Sequence, residues 1–374
     1  MSYKRLFSRA LEAAPERLHF AAHSHHLWPD ASFAGQVAAW QDAALLADHK
    51  WDRIFAEVIP EAQRHIAKEL HLPSPTTIAF APNTHDFVVR IVSALPQKCP
   101  RVLASDGEFH SFRRQSERWA EAGRIELTTV PLDRLVETAQ SGAFDLIFAS
   151  QVQFNSGQAL GDLAALAALA APAGPWVVID GYHGFMATPT DLSAVADRIF
   201  YLAGGYKYAM AGEGVCFLHA PPGFAPRPEV TGWYAAFDSL TAKQGEVSYA
   251  PDGGRFLGST FDPSGLYRFN AVQRMLASER LTTAAISAHC DARKARFVAA
   301  NPLPQLAQIS GPETRFLALQ GASAPALYAA LTAKGVVTDL RGDVLRIGFA
   351  LYHDGSDVDA LVAVLRSISG TSTG

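Results

Sequence analysis

Between residues 77 and 219, short apolar runs keep alternating with stretches of helical rhythm. The runs are TIAFA (77–81), RVLAS (101–105), IELTTV (125–130), DLIFAS (145–150), WVVID (176–180), IFYLAG (199–204) and GVCFLH (214–219). Between them, apolar residues recur at spacings of three and four, as from Thr84 to Leu95 and near 109–121 and 162–172. That alternation of periods predicts strand–helix–strand units. Such units build a mostly parallel sheet with helices on both faces, because each crossover helix returns the chain to the edge where the last strand began. The expected fold class is therefore α/β, with a large domain built on a mostly parallel seven-stranded sheet.

The flanking segments read differently. Residues 30 to 70 are helical in pattern, and residues 221–262 are rich in Gly, Pro and aromatics with little periodicity, which predicts a long functional loop region. A long helix is expected near 265–299, followed by FLALQ, a helix at 325–333, VVTDL, VLRIGFA and a closing helix from about 356 to 369. This last third reads as a small C-terminal α+β domain. Of the 374 residues, 49% are hydrophobic and 18% charged, which excludes a disordered chain. A net charge of −4 gives no basis for binding nucleic acid. The most apolar stretch, LAALAALAAPAGPWVVID, is broken by Pro172, Gly174 and Pro175, so it predicts helix, turn and buried strand, with no membrane span. The first twenty residues lack a continuous apolar core, so no secretory signal is expected. Cys99, Cys216 and Cys290 lie far apart without CxxC spacing, which predicts reduced thiols and a cytoplasmic location.

In a sheet of this kind, ligands gather at the C-terminal ends of the strands. Four features fall there. In FAPNTHDFVVR a strand gives way to a helix opened by Asn83, Thr84 and His85, whose free N–H groups offer either an anion cradle or an ordinary N-cap. In WVVIDGYHG, Asp180 ends a very apolar strand with His183 three residues on, either as a turn former or as a polar pair in a pocket. In YLAGGYKYAMAGEGV, Lys207 stands between two tyrosines inside a glycine-bounded segment directly after a strand. An amine desolvated there loses its proton more easily and becomes a nucleophile. In VLRIGFA, Arg346 sits inside an apolar strand, where it either pairs with Asp339 or Asp343 or clamps a substrate carboxylate. An anion cradle, a carboxylate, a lysine and a carboxylate clamp together form the set that pyridoxal 5'-phosphate requires.

These residues carry a resemblance to fold-type-I pyridoxal-phosphate enzymes of the class V aminotransferase superfamily, and within it to kynureninases. GYKY resembles S-Y-K-Y, which makes Lys207 the cofactor-bonding lysine and Tyr206 a phosphate or catalytic partner. DGYH resembles D-x-A-H, which puts Asp180 on the pyridine nitrogen and His183 near the phenolic oxygen. VQFNSGQ (152–158) resembles V-Q-Y-x-T-G-Q, which puts Gln153 and Asn155 at the pocket floor. EFHS (108–111) falls at F-P-S, so Phe109 or its neighbour His110 would stack on the ring. TGWYA (231–235) resembles G-W-x-G-H and brings Trp233 to the phosphate. GVVTDLRGDVLRIGFALYHDGSDV (335–358) resembles the family's closing pattern and assigns Arg346 to the substrate carboxylate. At RFLGSTFDP, Ser259 and Thr260 replace the kynureninase R-x-S-N-P-P motif. They fit the G-x-T that other class V enzymes extend to the partner subunit's phosphate.

The resemblance implies an N-terminal segment (1–45) packing on the small domain and the site entrance, a large cofactor-binding domain (46–262) and a small domain (263–374). It also implies a homodimer with shared sites, an amino-acid substrate, and kynureninase-like hydrolytic Cβ–Cγ cleavage releasing alanine. The alternatives are a class V aminotransferase or another β-lyase. A cysteine desulfurase is disfavoured because no cysteine falls on a loop of the C-terminal third. HSHHLWP (23–29) makes a poor metal site, and no metal is expected. It falls at the family's N-S-L-G-L-Q-P entrance loop, which places His23, Ser24 and His26 at the substrate, with His26 narrowing the pocket where the family has glycine.

Overall fold

The structure is a computed structural model, and it describes residues 2–239 and 245–370. A short strand β1 (Leu18–His19) opens the strand series. The large sheet takes β2 (Ile78–Ala81), β3 (Arg101–Ser105), β4 (Glu126–Val130), β5 (Leu146–Ser150), β6 (Trp176–Asp180), β7 (Ile199–Gly204) and β8 (Cys216–His219). Their order across the sheet is β2-β8-β7-β6-β5-β3-β4. β8 pairs antiparallel with both neighbours, and the other pairs are parallel. β5 and β7 are buried at every position, which explains their unbroken apolar sequence. β4 at the edge reads ELTTV and is largely exposed, so its polar residues blunt an open edge.

This topology decides where chemistry can occur. β2, β3, β5, β6 and β7 all end on the same side, with Ala81, Ser105, Ser150, Asp180 and Gly204 last. Because β8 runs the other way, its first residue, Cys216, arrives at that side opposite both Gly204 and Ala81.

A second sheet has the order β12-β13-β10-β9, from β9 (Ala307–Gln308), β10 (Phe316–Gln320), β12 (Asp339–Arg341) and β13 (Val344–Gly348). VVTDL is split. Its first half, β11 (Val336–Val337), pairs in parallel with β1, and its second half joins β13. The N-terminal segment is thereby stitched to the C-terminal third. The single helix expected near 265–299 is in fact two, Ser264–Ser278 and Thr283–Ala300. Arg280 takes a left-handed φ of 57°, and the Thr282 hydroxyl accepts the Ala285 N–H to restart the helix. An N-cap hidden in an apolar helical rhythm breaks it without a glycine or proline. The helix Asp30–Leu46 lies on Ser264–Ser278 so closely that a Cβ on Gly35 would fall 2.6 Å from the Tyr267 carbonyl oxygen. Among the described residues no helix is long and apolar enough to cross a membrane.

Candidate active site

A cavity of about 450 Å³ opens at the strand ends. Asn83, Thr84, His85, Phe109, Asp180, His183, Tyr206 and Lys207 line it, so residues from four separate sequence motifs converge in one place. Local structure explains how. Asn83 Oδ1 accepts the Asp86 N–H as the N-cap of helix Thr84–Ser93, which aims the helix's free N-terminal N–H groups at the cavity. The cap is thus formed, and the same turn lies on the cavity wall. Asp180 is the last residue of β6, and its Oδ1 accepts the Tyr182 N–H at 2.9 Å. Lys207 follows β7 and points back over the sheet end.

Lys207 is buried, and its Nζ lies 2.6 Å from His183 Nε2. The rings of Tyr182, Tyr206 and Phe109 surround that amine at 4.9, 5.6 and 5.6 Å. Burial pulls the Lys207 amine down to about 7, Asp180 pulls the other way, and Arg346 and Arg341 add to the lowering. Burial likewise holds His183 well below the ordinary imidazole value, reinforced by Lys207 and Arg346, so His183 is the neutral acceptor of the pair. Burial raises the Asp180 carboxyl, against the Tyr182 N–H and Lys207.

Several residues stand elsewhere than the sequence implied. Phe109 lines the cavity, whereas His110 is exposed and accepts a hydrogen bond from Arg113 through Nδ1. Gln153 lies beneath the floor, donating to Ser105 Oγ, and neither it nor Asn155 lines the cavity; Phe154 between them does. The strand-like alternation around Val152 turns the neighbours of Phe154 away. Trp233 is exposed and donates its indole N–H to Thr260 Oγ1, and Ser259 and Thr260 are exposed too, all outside this chain's cavity. Arg346 is buried one layer behind the wall, paired with Asp339 and donating to the Phe154 carbonyl.

The opening histidines divide. His26 does not narrow the cavity. It is buried against Phe7 and Tyr352, its Nδ1 faces the Leu27 carbonyl at 2.7 Å, and burial takes it down to about 3. His23 is fully buried, stacked on Phe316 and 3.8 Å from Asp339, with neither ring nitrogen hydrogen-bonded. Ser24 lies between them, off the cavity. The residue facing the mouth is His25, exposed and stacked on Tyr206. Trp28 covers Gly212, whose φ of +73° no other residue adopts as readily and whose missing Cβ leaves room for the indole. Among the described residues no three His, Cys, Asp or Glu side chains converge to hold a metal ion.

Other wall residues escaped the sequence reading. Tyr182, Phe154 and Cys216 also line the cavity, and aromatic and thiol side chains in apolar surroundings carry no sequence signal that separates wall from core. Glu108, buried beneath the floor, accepts from Ser105 Oγ, Ser150 Oγ and the Ser150 N–H and is pushed up to about 7 by burial. It ties the ends of β3 and β5 together.

No family model matches the chain. Isopenicillin N epimerase of Streptomyces clavuligerus is 32% identical over 160 residues, a match covering 40% of this chain and 40% of that protein. Solved structures match over almost the whole length. A C-DES mutant with glycine covalently linked to its PLP cofactor superposes with a TM-score of 0.84 at 17% identity, covering 98% of this chain and 99% of that one. The apo cysteine desulfurase of Thermococcus onnurineus NA1 gives 0.82 at 13% identity, covering 99% and 100%. The cystine C–S lyase C-DES with its product cysteine persulfide gives 0.80 at 17%, covering 95% and 99%. The chain has their fold. That is the fold-type-I architecture of pyridoxal-phosphate enzymes, as the sequence resemblance implied.

Proposed function

We propose that the chain is a pyridoxal-phosphate-dependent enzyme that acts on an amino acid by removing its α-proton and releasing a group from Cβ. The observation that carries this reading is the buried contact between Lys207 and His183 beside Asp180. The residues present fit the cofactor. His183 lines the cavity, and its Nδ1 is buried without a hydrogen-bond partner, a polar atom that a bound ligand can satisfy. Asp180 would hold the pyridine nitrogen, Lys207 the aldehyde, Phe109 the ring, and Thr84, His85 and Tyr206 the phosphate. When bound, the cofactor supplies the electron sink that makes an α-proton acidic.

The chain's own residues do the rest. The Lys207 amine, half unprotonated near pH 7, can take the α-proton at Nζ. His183 Nε2, neutral and 2.6 Å away, orients that amine, which holds the proton until it is handed to the departing group. The aromatic wall of Phe109, Phe154, Tyr182 and Tyr206 excludes water around it. Arg346 stands directly behind Phe154, and exchange of Asp339 for a substrate carboxylate would make it the clamp.

Kynureninase-type cleavage of Cβ–Cγ and cleavage of a Cβ–sulfur bond are the two forms this chemistry takes. Transamination is the second reading, since it begins with the same proton. A desulfurase relying on a cysteine nucleophile is not favoured, because Cys216 lies against Tyr182 with burial raising its thiol to about 12, Cys290 is buried in a helix, and Cys99 is outside the cavity. The reading includes a homodimer, in which the exposed Trp233, Ser259 and Thr260 reach a partner's cavity. The deciding experiment incubates the cofactor-loaded protein with kynurenines, cystine and other amino acids, and follows alanine, sulfur products and keto acids. Product release without a keto-acid acceptor supports the lyase reading. Strict dependence on an acceptor would overturn it in favour of transamination.

A further inference from the structure

Tyr182 follows Asp180 by two positions, where the D-x-A-H motif has alanine. Its ring lines the cavity and approaches Lys207 Nζ to 4.9 Å. Its hydroxyl lies 3.5 Å from Cys216 Sγ, and its ring packs 4.8 Å from that of Tyr206. Cys216 and Thr84, the first residue of its helix, line the same cavity. Two phenols and a helix N-terminus therefore meet at one end of the cavity.

The chain makes room for this arrangement. Gly204 ends β7 without a positive φ, so its backbone does not need glycine. A Cβ there would fall 2.2 Å from the Tyr182 hydroxyl oxygen and 2.5 Å from Cys216 Sγ. A glycine weakens a strand, so its presence is explained by the hydroxyl it admits. The anion problem at this end also needs an answer. Among the described residues lining the cavity, Lys207 is the sole lysine or arginine, and Glu213 adds a negative charge at the mouth. A phosphate held here depends on neutral donors. Burial keeps both phenols protonated, Tyr206 at about 12 and Tyr182 well above its ordinary value.

We propose that Tyr182 is a cofactor-holding residue whose hydroxyl, together with that of Tyr206, donates to the phosphate of pyridoxal phosphate. This rests on the reading that the cavity binds that cofactor. The test is equilibrium titration of wild-type, Tyr182→Phe and Gly204→Ala proteins with pyridoxal phosphate and with pyridoxal, which lacks the phosphate. A hydrogen bond to a charged group is worth enough that Tyr182→Phe is expected to weaken pyridoxal phosphate binding by roughly 10–100-fold while leaving pyridoxal binding unchanged. Gly204→Ala, whose methyl takes the hydroxyl's place, is expected to show the same phosphate-selective loss, and thermal unfolding checks that both variants are folded. Unchanged pyridoxal phosphate binding, or equal losses for both ligands, would overturn the assignment of Tyr182 alone. Failure of the wild-type protein to bind either ligand would overturn it together with the reading on which it rests.

Discussion

Lys207 Nζ and His183 Nε2 lie 2.6 Å apart, and both side chains are buried. His183 stays neutral, so the proton of the pair belongs to Lys207, whose amine is lowered from 10.5 to about 7. Below that pH the lysine is charged and unreactive; above it the free amine is present. The rate at which the cofactor-free protein captures pyridoxal phosphate is expected to rise through pH about 7. Asp180 raises the lysine's value, so Asp180→Asn should shift the rising limb to lower pH while lowering turnover by roughly 10²-fold. A limb near 10.5 in the wild-type protein would show that Lys207 is not desolvated as described.

Arg346 gives a KM prediction. Its guanidinium is buried and already serves Asp339 and the Phe154 carbonyl. Lysine carries the charge but not the two-pronged geometry. Arg346→Lys should raise KM for an amino-acid substrate by about 30-fold or more, equivalent to ~2 kcal/mol, with a smaller effect on kcat. Steady-state kinetics checks this, and an unchanged KM would remove Arg346 from the substrate site.

The entrance histidines should separate cleanly. His25 is exposed on Tyr206, so His25→Ala is expected to change KM by a few-fold and leave the unfolding midpoint alone. His26 and His353 are buried and lowered to about 3, so the folded state binds fewer protons than the unfolded chain between pH about 6.5 and 3. Stability is therefore lost as pH falls through that window. His26→Ala should lower stability at neutral pH by ~1–3 kcal/mol and make the acid loss shallower. Urea unfolding across pH 3–7 reads both effects, and an unaltered acid slope would count against a buried neutral His26.

Much of this was legible in the chain. The strands announced themselves because β5, β6 and β7 are covered on both faces and so carry no polar alternation to confuse the period. Asp180, His183 and Lys207 were legible because polar residues directly after such strands must either face a ligand or cost stability. Tyr182 was not, because an aromatic in an apolar context looks like core, and only the clash its hydroxyl would have with a Cβ at position 204 reveals its direction. The split between His25 and His26 was illegible for a related reason. In an irregular loop no periodicity says which neighbour turns inward, and tertiary contacts from Phe7 and Tyr352 make that choice. The break at Arg280 and Thr282 hid because threonine caps as easily as it sits in a helix.

Gly35 tests the docking of the N-terminal helix. In an isolated helix alanine would be the better residue by ~1 kcal/mol. Here its methyl would meet the Tyr267 carbonyl at 2.6 Å and the Arg268 Cα at 2.8 Å, and backbone atoms cannot rotate away. Overpacking should outweigh propensity, giving a net loss of roughly 1–3 kcal/mol on denaturant unfolding. A gain in stability would mean that the two helices are not held at this distance.

The central claim is that Lys207 is the residue that bonds the cofactor. Borohydride reduction of the pyridoxal-phosphate-loaded protein, followed by peptide mass mapping, tests it most directly. The predicted result is a single reduced adduct on the peptide carrying Lys207, and none in Lys207→Ala. An adduct on a different lysine, or persistence of the label in Lys207→Ala, would contradict it.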